Sequence, residues 1–136
     1  MTFVVDASVV IAGCFNDESS PAADVALDRL EHERAIAPAH WPLEVANALR
    51  SAEHRARIGS KELPRFRALI GALPVDPVPV ELATALHDVL EAARAHGVSA
   101  YDAAYLELAA ARGLPLATVD DRLRRACERA GVELVA

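Results

Sequence analysis

The chain predicts an α/β fold with a mostly parallel central sheet flanked by helices. Two observations carry this. Short apolar runs that suit buried strands alternate with longer segments of helical periodicity, and each helical segment carries its own start and stop residues. The strand candidates are also near-continuous in apolar residues rather than alternating, as strands covered on both faces are. At 136 residues, 53% of them hydrophobic and 25% charged, the chain suits a single domain over residues 1–136 with ample core. No internal repeat, low-complexity segment or linker interrupts it.

Residues 2–13 read TFVVDASVVIAG, an apolar run broken by one carboxylate. Phe3, Val4 and Val5 predict a buried strand. Asp6 interrupts the run, and an unpaired buried charge is costly. It therefore stands at the open end of the strand, either capping a turn or helix or serving a site that uses its charge. Ser20 and Pro21 supply an N-cap and a first-turn proline for a helix over residues 22–33, and residues 35–37 form a short strand before Pro38. Pro42 opens a helix that runs to Ile58 and stops at Gly59. Ser60 starts another over residues 61–73, with Pro64 near its beginning, where proline is tolerated.

Residues 74–80, PVDPVPV, hold too much proline for a central strand and predict a connector or short edge piece. In residues 81–97, Leu82, Leu86, Leu90 and Ala93 recur at helical spacing before Gly97, and Ser99 opens a helix that ends at Gly113. Residues 114–119 read as a strand, 120–131 as a helix capped by Asp120 or Asp121, and 132–135 as a final strand.

Composition narrows the function classes. The longest apolar stretches fall far short of the ~18 residues of a spanning helix, and the N-terminus has no basic region leading into a signal-type segment, so the expected location is cytoplasmic, with no membrane partner. Cys14 and Cys127 form no CxxC motif, which leaves no zinc site or disulfide framework to expect. The net charge of −6 argues against gripping nucleic acid through bulk positive charge. Basic residues are nonetheless clustered, first at Arg50, His54, Arg55, Arg57, Lys61, Arg65 and Arg67, then at Arg122, Arg124, Arg125 and Arg129. Such clusters are usually solvated helix faces.

Four acids fall near predicted helix N-termini: Asp6, Glu44, Asp102 and Asp120. Each taken singly has an ordinary explanation, because exposed N–H groups and the helix dipole favour carboxylates there. Ser99 and Asp102 also match a capping box. Together they say more. In an open parallel sheet the carboxyl ends of the strands and the N-termini of the following helices share one edge, where ligands bind. Two carboxylates 4 Å apart repel by roughly 4 kcal/mol at an effective dielectric of 20, so a converging cluster needs a cation. Oxygen donors without a nearby His or Cys suit Mg²⁺ or Mn²⁺. Asn47, three residues after Glu44, and Ser8 and Thr118, two residues from Asp6 and Asp120, are candidates to support the acids.

The five histidines show no ligand spacing, and Trp41, Tyr101 and Tyr105 read as core or interface. With no GxGxxG, GxxxxGK[ST] or GxSxG motif, metal-dependent phosphodiester chemistry is what remains. The segments VVDASVVI, PLEVANAL, SAYDAAYLELA and LATVDDRL, in that order across nearly the whole chain, resemble those of PIN-domain ribonucleases, and most closely the VapC-type toxins of bacterial toxin–antitoxin pairs. The resemblance implies an α/β/α sandwich, a Mg²⁺ or Mn²⁺ site and endoribonuclease activity. It makes Asp6, Glu44 and Asp102 the defining acids and Asp120 the more variable fourth, with Asp121 its rival. It also implies an RNA substrate, a homodimer and a cognate antitoxin, for which the helix faces VALDRL and ANALRSA are a candidate groove. A receiver-type signalling domain is the alternative from another class, and a non-catalytic PIN scaffold the third reading.

Overall fold

The computed structural model describes residues 2–15 and 20–136. Its strands are β1 (Phe3–Val5), β2 (Ala35–Pro38), β3 (Val75–Val78) and β4 (Leu116–Ala117), and they form one sheet in the order β3-β2-β1-β4. Every pairing is parallel, as the apolar strand runs predict. The helices are α1 (Ala7–Cys14), α2 (Pro21–Arg29), α3 (Trp41–His54), α4 (Leu63–Gly71), α5 (Leu82–Thr84), α6 (Leu90–His96), α7 (Ala100–Arg112) and α8 (Asp121–Ala130), with a π-helical turn over Ala85–Val89 joining α5 to α6.

The order of strands places the site. The chain steps outward from β1 to β2 to β3, then crosses back past β1 to β4. With right-handed crossovers, the helices of the two directions fall on opposite faces. The carboxyl ends of β1 and β4 therefore flank a point where the following helices, α1 and α8, diverge, and such switch points leave a crevice. Phe3, Val4, Val5, Val9, Tyr105, Leu116 and Leu123 fill the core, all fully or almost fully buried. Phe15, Ala52, Ile58 and Phe66 form a second cluster beside it.

The apolar run after Asp6 is helix α1, one of the alternatives open for the end of that strand, and it packs closely on α2 at Gly13, where an added Cβ would meet the flexible end of the Leu27 side chain. Other elements depart from the sequence reading. Helix α3 stops at His54 rather than Ile58, because Ala56 adopts a left-handed φ of 57° and the Arg57 N–H returns to the Ala52 carbonyl at 2.8 Å. That turn sends Ile58 into the second cluster. Residues 75–78 form the short edge piece that their prolines predict, whereas the expected final strand shrinks to one bridge between Leu116 and Leu134, since β4 itself is only two residues long. The leucine row of residues 82–90 is helical but faces outward: Leu82, Leu86 and Leu90 are exposed, while Val89 and Ala93 supply the buried face.

Candidate active site

Each expected acid reaches the carboxyl edge of the sheet by a different route. Asp6 follows β1 directly, Glu44 lies in the first turn of α3 just after β2, and Asp120 follows β4. Helix α7 returns the chain to β4 and so runs against the strands, which brings Asp102, in its first turn, to the same edge. Asp6, Glu44, Asp102 and Asp120 line one cleft of about 320 Å³, together with Ala7, Ser8, Ile11, Ala48 and Val119.

Capping explains some of these acids and not others. Asp120 accepts from the Leu123 N–H at 3.0 Å, is the N-cap of α8 and lines the cleft, whereas Asp121, likewise exposed, stands outside the lining. At α7 it is Ser99 that caps, accepting from the Asp102 N–H at 3.1 Å, which leaves the Asp102 carboxylate toward the cleft. Asp6 occupies the N-cap position of α1 but its side chain makes no capping bond. Instead Asp6 Oδ2 accepts from Ser8 Oγ at 2.6 Å and from Thr118 Oγ1 at 2.7 Å. Those hydroxyls in turn accept from the N–H groups of Val119 and Asp120, at 3.2 and 3.1 Å. Two hydroxyls thus tie the end of β1 to the end of β4 and fix one oxygen of Asp6.

Burial pushes the Asp6 carboxyl up to about 6 despite these hydrogen bonds, and the charges of Glu44 and Asp102 push it in the same direction. Asp102 is likewise raised, first by burial and then by Asp120 and Glu44, with Arg122 and His40 pulling against them. For Glu44 burial also works upward, but His40 and Tyr105 together outweigh it and hold the carboxyl below its ordinary value. Tyr105 donates to Glu44 Oε1 at 2.5 Å. Burial first, and then the charge of Asp6, raise the phenol far above its usual range, so it stays protonated and keeps donating. His40 Nε2 lies 3.2 Å from the same oxygen, near enough for an ion pair when protonated but off the direction of a hydrogen bond.

The family model of the PIN domain matches residues 3–129. The chain belongs to the PIN-domain family. It is similar to Ribonuclease VapC12 of Mycobacterium tuberculosis, in strains CDC 1551 / Oshkosh and ATCC 25618 / H37Rv, at 34% identity over 134 residues that cover 98% of each chain. The crystal structure of PAE2754 from Pyrobaculum aerophilum matches with a TM-score of 0.64 and 24% identity, covering 93% of this chain and 87% of that one, a likeness of fold. Membership of the PIN family replaces the receiver-type alternative.

Within this PIN domain, six of the seven residues singled out in the sequence come together: the four acids, Ser8 and Thr118. Asn47 does not join them. It is exposed, its side chain has no hydrogen bond among the described residues, and it stands outside the cleft lining, where Ala48 takes its side of α3. His40 and Tyr105 are the neighbours the sequence reading passed over. Their signal was spacing, His40 four residues before Glu44 and Tyr105 three after Asp102, each on the same helical face as an acid.

The donor set suits a hard divalent cation, as PIN-domain ribonucleases generally require. The cleft is lined by carboxylates without His or Cys, and burial, with their mutual repulsion added to it, raises Asp6 and Asp102. Among the described residues no three His, Cys, Asp or Glu side chains are grouped closely enough to cage an ion alone. A Mg²⁺ ion that keeps several waters binds through one or two carboxylates and a substrate phosphate and does not require such a cage.

Proposed function

We propose that this chain is a single-domain endoribonuclease that hydrolyses RNA phosphodiester bonds with Mg²⁺ or Mn²⁺, as the toxin of a toxin–antitoxin pair in the cytoplasm. The observation that carries the reading is the convergence of Asp6, Glu44, Asp102 and Asp120 on one cleft. Similarity to Ribonuclease VapC12 over nearly the whole chain supports it. These four acids would hold the cation. When bound, such an ion acidifies a water and neutralises charge on the scissile phosphate. Ser8 and Thr118 hold Asp6 Oδ2, leaving Oδ1 without a hydrogen-bond partner among the described residues. Tyr105 keeps Glu44 ionised and in place. Incubation of the purified protein with cellular RNA in Mg²⁺, in Mn²⁺ and in chelator, with the cut ends mapped, tests the reading. RNA left intact under all three would return the chain to the role of a non-catalytic PIN scaffold.

The same reading includes two protein partners. A homodimer is supported by the exposed row Leu82, Leu86 and Leu90, which runs from α5 through the π-helical turn to α6. An antitoxin segment has a candidate groove between α1, α2 and α4, lined by Val10, Leu27, Phe66, Leu69, Ile70 and Leu73. Of the faces the sequence suggested, VALDRL contributes Leu27, while no residue of ANALRSA lines this groove. An Arg or Lys of the antitoxin that reached the acids would compete with the cation.

A further inference from the structure

Two arginines of the second basic cluster are held by backbone carbonyls, unlike those at the end of α3. On α8, Arg124 donates to the carbonyls of Thr118 and Ala136 at 2.9 and 3.1 Å. Arg129 donates to the His96 carbonyl at 3.1 Å. Those guanidinium groups are fastened to backbone. At the C-terminal end of α3 the side chains of Arg50, His54 and Arg55 are exposed and, among the described residues, have no hydrogen bond or ion pair. With Ser51 they line a depression of about 320 Å³.

The position of this depression connects it to the cleft. Glu44, Ala48 and Ser51 follow one another at i, i+4 and i+7, a single stripe of α3. Glu44 and Ala48 line the acidic cleft, and Ser51 lines the basic depression. At 1.5 Å per residue, Ser51 lies roughly 10 Å along the helix axis from Glu44. A strand whose scissile phosphate sits in the cleft thus meets, a short way along α3, two guanidinium groups, an imidazole and a hydroxyl, all suited to a phosphate oxygen. The chain carries a net charge of −6, so an RNA backbone needs such a local cationic foothold.

We propose that Arg50, Ser51, His54 and Arg55 form a subsite that holds a backbone phosphate of the RNA strand away from the scissile one, laying the strand along α3. The proposal rests on the ribonuclease reading. Phosphate-binding groups of this kind position the strand without reading its bases. The test is steady-state cleavage of a single-stranded RNA in Mg²⁺ over a series of NaCl concentrations. It compares wild type with an Arg50→Gln, Arg55→Gln double variant, an Arg50→Lys, Arg55→Lys double variant, and Arg112→Gln at the far end of α7 as a control.

The glutamine variant is expected to raise KM about tenfold, as removal of one or two charge-assisted hydrogen bonds would, with kcat unchanged. Its salt dependence should weaken by about 0.7 in log–log slope for each RNA phosphate that the protein no longer neutralises. The lysine variant should stay near wild type, and so should Arg112→Gln. Wild-type KM and slope in the glutamine variant would overturn the subsite, as would an equal effect of Arg112→Gln or a fall in kcat alone. If wild type leaves the RNA intact in both Mg²⁺ and Mn²⁺, the ribonuclease reading fails and the subsite with it.

Discussion

Asp6 is ionised at neutral pH in surroundings that resist the charge. Its folded-state value of about 6 lies above the ordinary 3.8, so its proton is bound more tightly in the native state than in the unfolded chain. The stability it contributes is fully present below about pH 4 and is lost as pH rises through about 6, a change of roughly 3 kcal/mol. Asp6→Asn keeps an acceptor for Ser8 and Thr118 and removes the charge. In chelator at pH 7 the variant should melt above wild type, and the gap should close as pH falls to 4. A gap that is constant with pH would refute the account of Asp6. Tyr105→Phe removes the 2.5 Å hydrogen bond to Glu44. It should cost about 1–2 kcal/mol in denaturant unfolding, because Glu44 then lacks a donor that favours its ionised form; an unchanged midpoint would contradict this. The acids were legible in the sequence because helix N-termini announce themselves through Ser, Pro and acidic residues. The Tyr105–Glu44 hydrogen bond spans 61 positions, and no local pattern records it.

Among the elements, those legible in the sequence were the ones ended by strong local signals. Gly97, Gly113 and Gly131 follow α6, α7 and α8 in left-handed conformations that glycine adopts without penalty. The proline-rich stretch became an edge strand, where a missing N–H does least harm. Tertiary packing decided the rest. Ala56 takes the left-handed position after α3 because Ile58 has a place in the second cluster, a preference that overrides the expected stop at Gly59. A Cβ in that conformation costs about 1–2 kcal/mol, part of which a glycine returns as extra freedom in the unfolded chain. Ala56→Gly should therefore raise stability by about 0.5–1 kcal/mol, measured by the urea midpoint at unchanged slope. A lower midpoint would mean that the turn is not strained. The exposed row of Leu82, Leu86 and Leu90 carries the same lesson, since helical spacing identifies a face without saying what covers it.

At the scale of the whole molecule, the sheet order β3-β2-β1-β4 sets the ends of β1 and β4 side by side at the switch point, and α7 returns to the same edge. The order of strands and helices was readable from alternation, but the adjacency of β1 to β4 arises only when the sheet is assembled. A dimer through the leucine row predicts that Leu86→Arg sediments as a monomer under conditions where wild type is a dimer, with its melting temperature changed only through dissociation. Identical sedimentation of the two would remove that row from the interface. On the ribonuclease reading, acids from four separate segments serve one cation and one phosphodiester. The most direct measurement of it is the cleavage rate of one defined RNA in Mg²⁺ by wild type, Asp6→Asn and Asp102→Asn, each checked for native folding by circular dichroism. The account predicts cleavage by wild type, abolished by chelator, and none by either variant; a folded variant that cleaves at the wild-type rate would contradict it.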